Sequence, residues 1–276
     1  MNFRHIIFEY DVSFLLNKYY IIKKGNDIMI KKIAIITDVH GNLEALTSIL
    51  EDIKKNNFDE IICLGDSIDF GPNSKECIDL LIENNVKSVL GNHEIYLLRG
   101  TNFDSSIVGE EKEHYDRVKK SLTEKEINYI KNCPLHFDIN INYKDGKFDK
   151  KYILCHYLLK DEKANYPFEQ NYLKKDIELW KKYNKDNITY LIGHLHNSFN
   201  INDVDGISGD YIEETDELTN IEIVESAGCS KDEFVSYASL EIGKSICLKN
   251  VKVKFDREKF INKVMNTEFP DKKNIL

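Results

Sequence analysis

No stretch of this 276-residue chain approaches the roughly 18–20 consecutive apolar residues that a membrane-spanning helix needs. The segment Phe14–Ile22 is apolar, but Asn17 and Lys18 interrupt it and no small-residue cleavage site follows, so it does not read as a signal peptide either. Positive charge is in deficit. Against 47 Asp and Glu stand 38 Lys and Arg, and the net charge of −9 argues against a dedicated binder of duplex nucleic acid. Nucleotides stay open, because a bound cation attracts phosphate locally whatever the net charge. Six cysteines, at 63, 77, 133, 155, 229 and 247, include no C-x-x-C pair, which argues against a zinc ribbon or a thioredoxin-like motif. Cys63, Cys155 and Cys247 fall in apolar runs and read as small core residues, reduced, in a cytoplasmic protein. Internal repeats, low-complexity tracts and linkers are also lacking. What remains is a chain 42% hydrophobic and long enough to bury a sizeable core.

That chain is organised by a repeating rhythm. Ile33–Thr37 is a continuous apolar run suited to a buried strand, Asp38–Asn42 is a turn, and Leu43, Leu46, Leu50 and Ile53 recur at helical spacing up to Asn56-Asn57. Glu60–Leu64 is a second strand, Asn73–Asn84 a second helix and Val86–Leu90 a third strand. Strand, polar turn, helix, strand implies parallel units with right-handed crossovers, whose functional groups collect at the carboxyl ends of the strands. Residues 99–135 break the rhythm as a helical insertion placed over or beside that end; Thr123-Glu124-Lys125-Glu126 reads as a capping box for a helix that stops before Pro134. The second half is richer in strands: Tyr152–Cys155, Ile188–Ile192, Ile221–Val224, Ser236–Ile242 and Ser245–Phe255, with a helix over Tyr172–Tyr183, an exposed acidic hairpin tip at Asp203–Glu217 and a terminal helix at Glu258–Met265. The expected division is an extension over 1–28, one domain over 29–270 and a short tail over 271–276. Met29 is the expected natural start, the alternative being an extension that packs on the domain.

Five short pieces follow the strands in order: Asp38-Val39-His40, Gly65-Asp66, Gly91-Asn92-His93-Glu94, His156 and Gly193-His194-Leu195-His196. They bring carboxylate oxygens, one neutral amide oxygen and several imidazoles to strand ends, enough donors for two adjacent cations. A carboxylate such as Asp66 has two oxygens and can bridge a pair. Any one histidine is more often a plain polar group, and His5, His114 and His136 take that reading. His40, His93, His156, His194 and His196 are set apart by their joint placement beside Asp or Gly. Two cations with such donors suit hydrolysis of phosphate esters.

Asp38-Val-His-Gly-Asn-Leu-Glu-Ala-Leu, Gly65-Asp66, Gly91-Asn92-His93-Glu94 and Gly193-His194-Leu-His196 together resemble the calcineurin-like metallophosphoesterase superfamily. Within it the chain is similar to a small bacterial branch of predicted phosphodiesterases, which Asp69-Phe70-Gly71-Pro72-Asn73 and the run Ser226-Ala227-Gly228 to Ser236-Tyr237-Ala238 also fit. The resemblance implies an α/β fold, a four-layer α/β/β/α sandwich. It implies one metal on Asp38, His40, Asp66 and His196, and a second on Asp66, Asn92, His156 and His194, with Asp66 bridging. Mn²⁺ heads the candidate ions, with Fe²⁺, Zn²⁺ and Ni²⁺ behind it. It further implies attack by a metal-bridging hydroxide, His93 as the acid at the leaving oxygen and Asp38 as a residue that orients His93 as well as binding metal. Two departures stand out: His156-Tyr157 where the family often has His-Gly, and Ser226-Ala-Gly-Cys-Ser in place of a more usual Asn-Pro-Gly-Ser.

The expected activity is therefore metal-dependent hydrolysis of phosphoesters, diesters or small nucleotides foremost. The competing readings are a phosphomonoesterase or protein phosphatase, and a scaffold that kept the fold, binds a partner and turns nothing over. No membrane partner is expected, and a homo-oligomer is left open.

Overall fold

A computed structural model describes residues 18–22, 31–100, 109–142, 149–157, 188–196, 221–243 and 245–268. Its layering follows from the alternation in one strand. β1 (Lys18–Ile22) precedes β2 (Lys31–Ile36), and in β2 the side chains of Ile33 and Ile35 join one apolar cluster while Ala34 and Ile36 join another. Successive strand residues point to opposite faces, so a strand apolar at every position must be covered on both.

β3 (Glu60–Cys63) and β4 (Lys87–Ser88) run parallel to β2, while β9 (Phe234–Ile242) and β10 (Ile246–Lys254) add antiparallel strands on its other side, giving the order β10-β9-β2-β3-β4. The second sheet has the order β1-β5-β6-β7-β8, from β5 (His136–Asn142), β6 (Asp149–Cys155), β7 (Ile188–Ile192) and β8 (Ile221–Ile223). Ile33, Ile35, Ile62 and Leu64 of the first sheet pack against Phe137, Ile139, Leu154 and Leu191 of the second, forming the layer between the sheets. On the far side of the first sheet lie α1 (Leu43–Lys55), α2 (Ser74–Glu83) and α6 (Arg257–Asn266), whose Leu46, Ile49, Ile53, Cys77, Leu81, Phe260 and Val264 fill the other cluster. Each fully buried Leu or Ile stabilises the fold by about 1.5–3 kcal/mol relative to exposure. The expected α/β/β/α sandwich is thus seen as helices on one sheet and that sheet on another. The helix expected at 172–183, the hairpin tip at 203–217 and the tail at 271–276 lie outside the described residues.

Local signals account for the helix ends. The Asn42 side chain accepts from the Ala45 amide at the start of α1, and Lys54 and Lys55 sit in its last turn, where the helix dipole favours positive charge. α3 (Asn92–Arg99) and α4 (Gly109–Ser121) precede α5 (Glu124–Lys131), which is capped by Thr123 with Glu126 reaching back to the Thr123 amide at 2.6 Å, the expected capping box.

Several expectations are corrected. The third strand is two residues long rather than five: the Val86 amide is still bonded to the Leu81 carbonyl of α2, and Leu90 donates to the Pro134 carbonyl. Gly91 is the N-cap of α3, and Asn92–Glu94 form its first turn. β5 was not expected, although Phe137, Ile139 and Ile141 alternate with polar residues and are buried. Cys63 and Cys155 are buried as expected, but Cys247 is exposed: it pairs with Glu241 across the ladder on the outer face, and Cys77 is the cysteine that lies in the helical layer.

Candidate metal centre

Asp38 and His40 follow β2, Asp66 follows β3, Asn92 and His93 open α3 after β4, His156 follows β6, and His194 and His196 follow β7. The parallel strands of both sheets thus deliver their ends to one place. The turns are stitched together there: Asp38 donates to Gly65, His40 to Asp66, Gly193 to His156 and Ser226 to His196, all backbone to backbone at 2.9–3.0 Å. Asp38, His40, Asp66, His194 and His196 all hold left-handed backbone, with φ between 47° and 67°. Such residues cost of order 1–3 kcal/mol each and persist where surrounding structure over-determines them, typically at functional sites. Here the left-handed residue turns the chain so that the first and third side chains of Asp-Val-His and His-Leu-His face the same way.

The donor atoms converge. Asp66 Oδ2 lies 3.0 Å from His156 Nε2 and 3.8 Å from both His40 Nε2 and His93 Nε2. Asp38 Oδ1 lies 3.5 Å from His196 Nε2 and 3.8 Å from His40 Nε2. Asn92 Oδ1 is 3.0 Å from His156 Nε2, and His194 joins Asp66 and His156 in one cluster of candidate ligands. The seven residues expected as ligands therefore lie around one place, and His93 joins His40 and Asp66 in a further cluster of candidate ligands beside them. The far side of two rings is fixed as well: His156 Nδ1 sits 2.8 Å from the Leu64 carbonyl and His40 Nδ1 3.3 Å from that of Ile68. A proton held on Nδ1 leaves Nε2 with its lone pair toward the cluster, the arrangement that prepares a histidine for a cation.

The electrostatics agree with a cation site. Burial raises the Asp38 carboxyl, yet the hydrogen bond to His196 and the charges of His156 and His196 outweigh it and hold its pKa at about 2. Asp66 is held well below the usual range by His156, His93 and His40 against the same burial. Burial, then His93, pushes His40 down to about 3, and burial with His156 takes His194 to about 4. Burial opposes a charge on His156 and His196 too, but Asp66 lifts the first to about 9 and Asp38 with Cys229 the second to about 11. Two ionised, fully buried carboxylates need positive charge beside them, and His40 Nε2 faces His196 Nε2 at only 3.3 Å. Two imidazole nitrogens that close need a proton or a cation between them. The mixed oxygen and nitrogen donor set suits a divalent transition ion, so the residues present fit the metals that the sequence implies.

His93 is set differently. Its amide donates to Asp66 Oδ1 at 3.0 Å, and its Nδ1 lies 2.8 Å from Asp69 Oδ2. Asp38, expected to orient this ring, faces His196, His40 and His156 instead; the left-handed Asp69 supplies the carboxylate, since the 66–71 turn curls it under the ring. Burial depresses His93, but Asp66 and Asp69 overcome it and raise its pKa to about 9. α4 closes over this pair. Tyr115 stacks on His93 at 5.7 Å with its hydroxyl 2.8 Å from Nδ1, and His114 Nε2 lies 2.6 Å from Asp69 Oδ1. Asp69 and Tyr115 are not singled out by the sequence, and His114, expected to be a plain polar group, is instead buried against Asp69. Asp69 stood within a noted motif, whereas His114 and Tyr115 carried no signal beyond one buried helical stripe with Val118 and Leu122.

Glu94 accepts from the amides of Gly91, Asp66 and Ser67 at 2.7–2.9 Å, capping its own helix and bracing the Asp66 turn. Tyr157, which departs from the family's glycine, packs its ring against His156 and His194. Arg99 ends α3 exposed. A cleft of about 730 Å³ opens beside His40 and His196, with Phe70, Cys229, Lys231 and Lys252 on its walls.

The family model for calcineurin-like phosphoesterases matches residues 31–225. The chain belongs to that family. A metallophosphoesterase from Sphaerobacter thermophilus shares the fold, with a TM-score of 0.60 at 18% identity over 89% of this chain and 98% of that one. The uncharacterized protein MJ0912 of Methanocaldococcus jannaschii is 34% identical over 41% of this chain and 46% of its own length. A symmetrical bis(5'-nucleosyl)-tetraphosphatase of Haemophilus ducreyi is 37% identical over 23% of this chain and 25% of its own. The matches thus span less than half the length of these curated relatives. Among the described residues no helix is long and apolar enough to cross a membrane.

Proposed function

We propose that this phosphoesterase hydrolyses small phosphodiesters or nucleotides, with two divalent cations, Mn²⁺ foremost, and His93 as the acid. The observation that carries the reading is the pair of ligand groups that share Asp66: Asp38, His40 and His196 on one side, Asn92, His156 and His194 on the other. Cations held there would polarise a phosphoryl oxygen and make a water acidic enough to attack phosphorus near neutral pH.

The chain's own residues do the rest. Asp66 and Asp38 balance the charge of the cations. Leu64 and Ile68 carbonyls keep His156 and His40 presenting Nε2. Asp66 and Asp69 favour a proton on His93, and Asp69 on Nδ1 leaves Nε2 to meet the leaving oxygen. A positioned acid of this kind contributes typically about 10²–10⁴-fold in rate. The cleft beside His40 is in the range of small-ligand sites. Lys231 and Lys252 offer charge to further phosphates and Phe70 offers an aromatic face, which suits a nucleotide, in line with the tetraphosphatase likeness. We place the protein in the cytoplasm, given its free cysteines.

The test is hydrolysis of bis-p-nitrophenyl phosphate by metal-stripped protein, with and without added Mn²⁺, beside Asp66→Asn. Turnover that needs the metal and is lost in the variant is the expected result. Preference for p-nitrophenyl phosphate would turn the reading to a monoesterase. Inertness toward both esters with metal bound would favour a partner-binding scaffold.

A further inference from the structure

We propose that Cys229 is a ligand of the cation held by His40 and His196, and that its thiolate tilts this half of the centre toward a thiophilic ion such as Zn²⁺ or Fe²⁺. The inference rests on the metal centre proposed above and adds a donor to it. Cys229 Sγ, a ring nitrogen of His40 and one of His196 all lie within 4.8 Å of one another. The two imidazole nitrogens are 3.3 Å apart, close to the spacing that two ligands at the roughly 2.0–2.1 Å bond length of tetrahedral zinc present. Asp38 Oδ1, 3.5 Å from His196 Nε2, and the shared Asp66 Oδ2, 3.8 Å from His40 Nε2, supply the remaining donors.

The position of the thiol is built rather than incidental. Ser226 donates its hydroxyl to the Asp38 carbonyl at 2.8 Å and accepts from the Gly228 and Cys229 amides at 3.2 and 2.8 Å. The Ala227 amide bonds the Thr37 carbonyl, the Ser226 amide bonds the His196 carbonyl, and Asn42 Nδ2 bonds the Gly228 carbonyl. A Cβ on Gly228 would lie 1.9 Å from the Val39 carbonyl oxygen, so the loop approaches the β2 turn as closely as a glycine allows. The loop is thus tied to both turns that carry the two histidines, and it holds Cys229 on the open wall of the cleft above them. On binding, the Sγ–H bond breaks, its proton leaves to solvent and the sulfur lone pair forms the bond to the cation; nothing is oxidised. A soft sulfur beside two imidazoles favours Zn²⁺, Fe²⁺ or Co²⁺ over Mn²⁺, whereas the Asp66, Asn92, His156 and His194 group has no sulfur and keeps no such bias.

The experiment is the absorption spectrum of the metal-stripped full chain loaded with Co²⁺, with bound cobalt counted by elemental analysis, for the unaltered protein, Cys229→Ser and Cys247→Ser. The expected result is a near-ultraviolet thiolate-to-cobalt charge-transfer band in the unaltered protein and in Cys247→Ser. Cys229→Ser loses that band but keeps visible cobalt bands, and its preference for Zn²⁺ over Mn²⁺ falls by about tenfold or more. Bound cobalt with visible bands and no charge-transfer band in any protein would overturn the thiolate ligand and leave the metal centre standing. Failure to bind cobalt at all would overturn both.

Discussion

The Tyr115 hydroxyl and the Asp69 carboxylate both lie 2.8 Å from Nδ1 of His93, one from the insertion above and one from the strand-end turn below. The ring is therefore clamped on the side away from Asp66. Tyr115→Phe removes the hydroxyl but keeps the ring stacked on His93. The expected outcome is a fall in kcat of about three- to tenfold, the scale of one hydrogen bond, with KM and Tm little changed. A pH–rate profile checks it: its alkaline limb should shift, because the group at Nδ1 no longer includes the phenol. Unchanged kcat with an unmoved profile would remove Tyr115 from the positioning of His93.

His93→Ala should keep both cations and lose about 10²–10⁴-fold in kcat. Metal content by elemental analysis, measured beside turnover, separates the acid role from a ligand role. Near-full turnover with metals in place would refute His93 as the acid.

Away from the centre, Asp138 gives a pH prediction with a definite sign. Burial raises its carboxyl, but His136 at 3.0 Å and Lys151 at 2.8 Å outweigh it and lower the pKa. A depressed carboxylate pKa adds stability that is fully present above the unfolded value, about 3.9, and is lost as pH falls through the folded value. Asp138→Asn should melt a few degrees below the unaltered protein at neutral pH, and the gap should start to shrink as pH falls below about 5 and close only once pH has fallen through the lowered folded value. A gap independent of pH would mean that the charge of Asp138 does not stabilise β5.

The strand-end motifs were legible because each joins an apolar run to residues of unusual chemistry, and the parallel crossovers left only one end of the sheet for them to share. Less could be read where the partner is distant in sequence. Asp69 lies three residues after Asp66, yet nothing local says that its left-handed turn aims it at a histidine 24 positions later. His114 reads as an ordinary polar residue until α4 lies down on the 66–71 turn. Cys247 is exposed against expectation because an apolar run does not reveal which face of an edge strand each residue takes; in β10 only the register with β9 decides it. β5 carries the alternating signal in Phe137, Ile139 and Ile141, but three alternating residues with Asp and Asn between them are a short signal, and only the pairing with β6 shows that they form a strand.

The first residues offer a separate test. Among the described residues β1 pairs only with β5, at the margin of its sheet, and the family match begins at residue 31. We expect a chain beginning at Met29 to fold and keep its turnover, with β5 as the new edge. An insoluble or unfolded product would make the segment before Met29 part of the structural domain.

Glu94 connects stability to the metal centre most directly. Its carboxylate satisfies three buried amides, two of them in the turn that carries Asp66, and burial with the Asp66 charge raises its own pKa. Each buried N–H left without an acceptor costs about 1–3 kcal/mol. Glu94→Ala, which strands all three, should therefore unfold at markedly lower denaturant, whereas Glu94→Gln keeps one acceptor oxygen and should lose roughly half as much. The Asp66 turn loosens in both, so the affinity for added metal should fall by about 10–100-fold even in the folded glutamine variant. Calorimetric titration of the metal-stripped proteins reads this directly. An unchanged affinity in Glu94→Gln would show that the turn holds Asp66 in place through its bonds to the β2 loop alone.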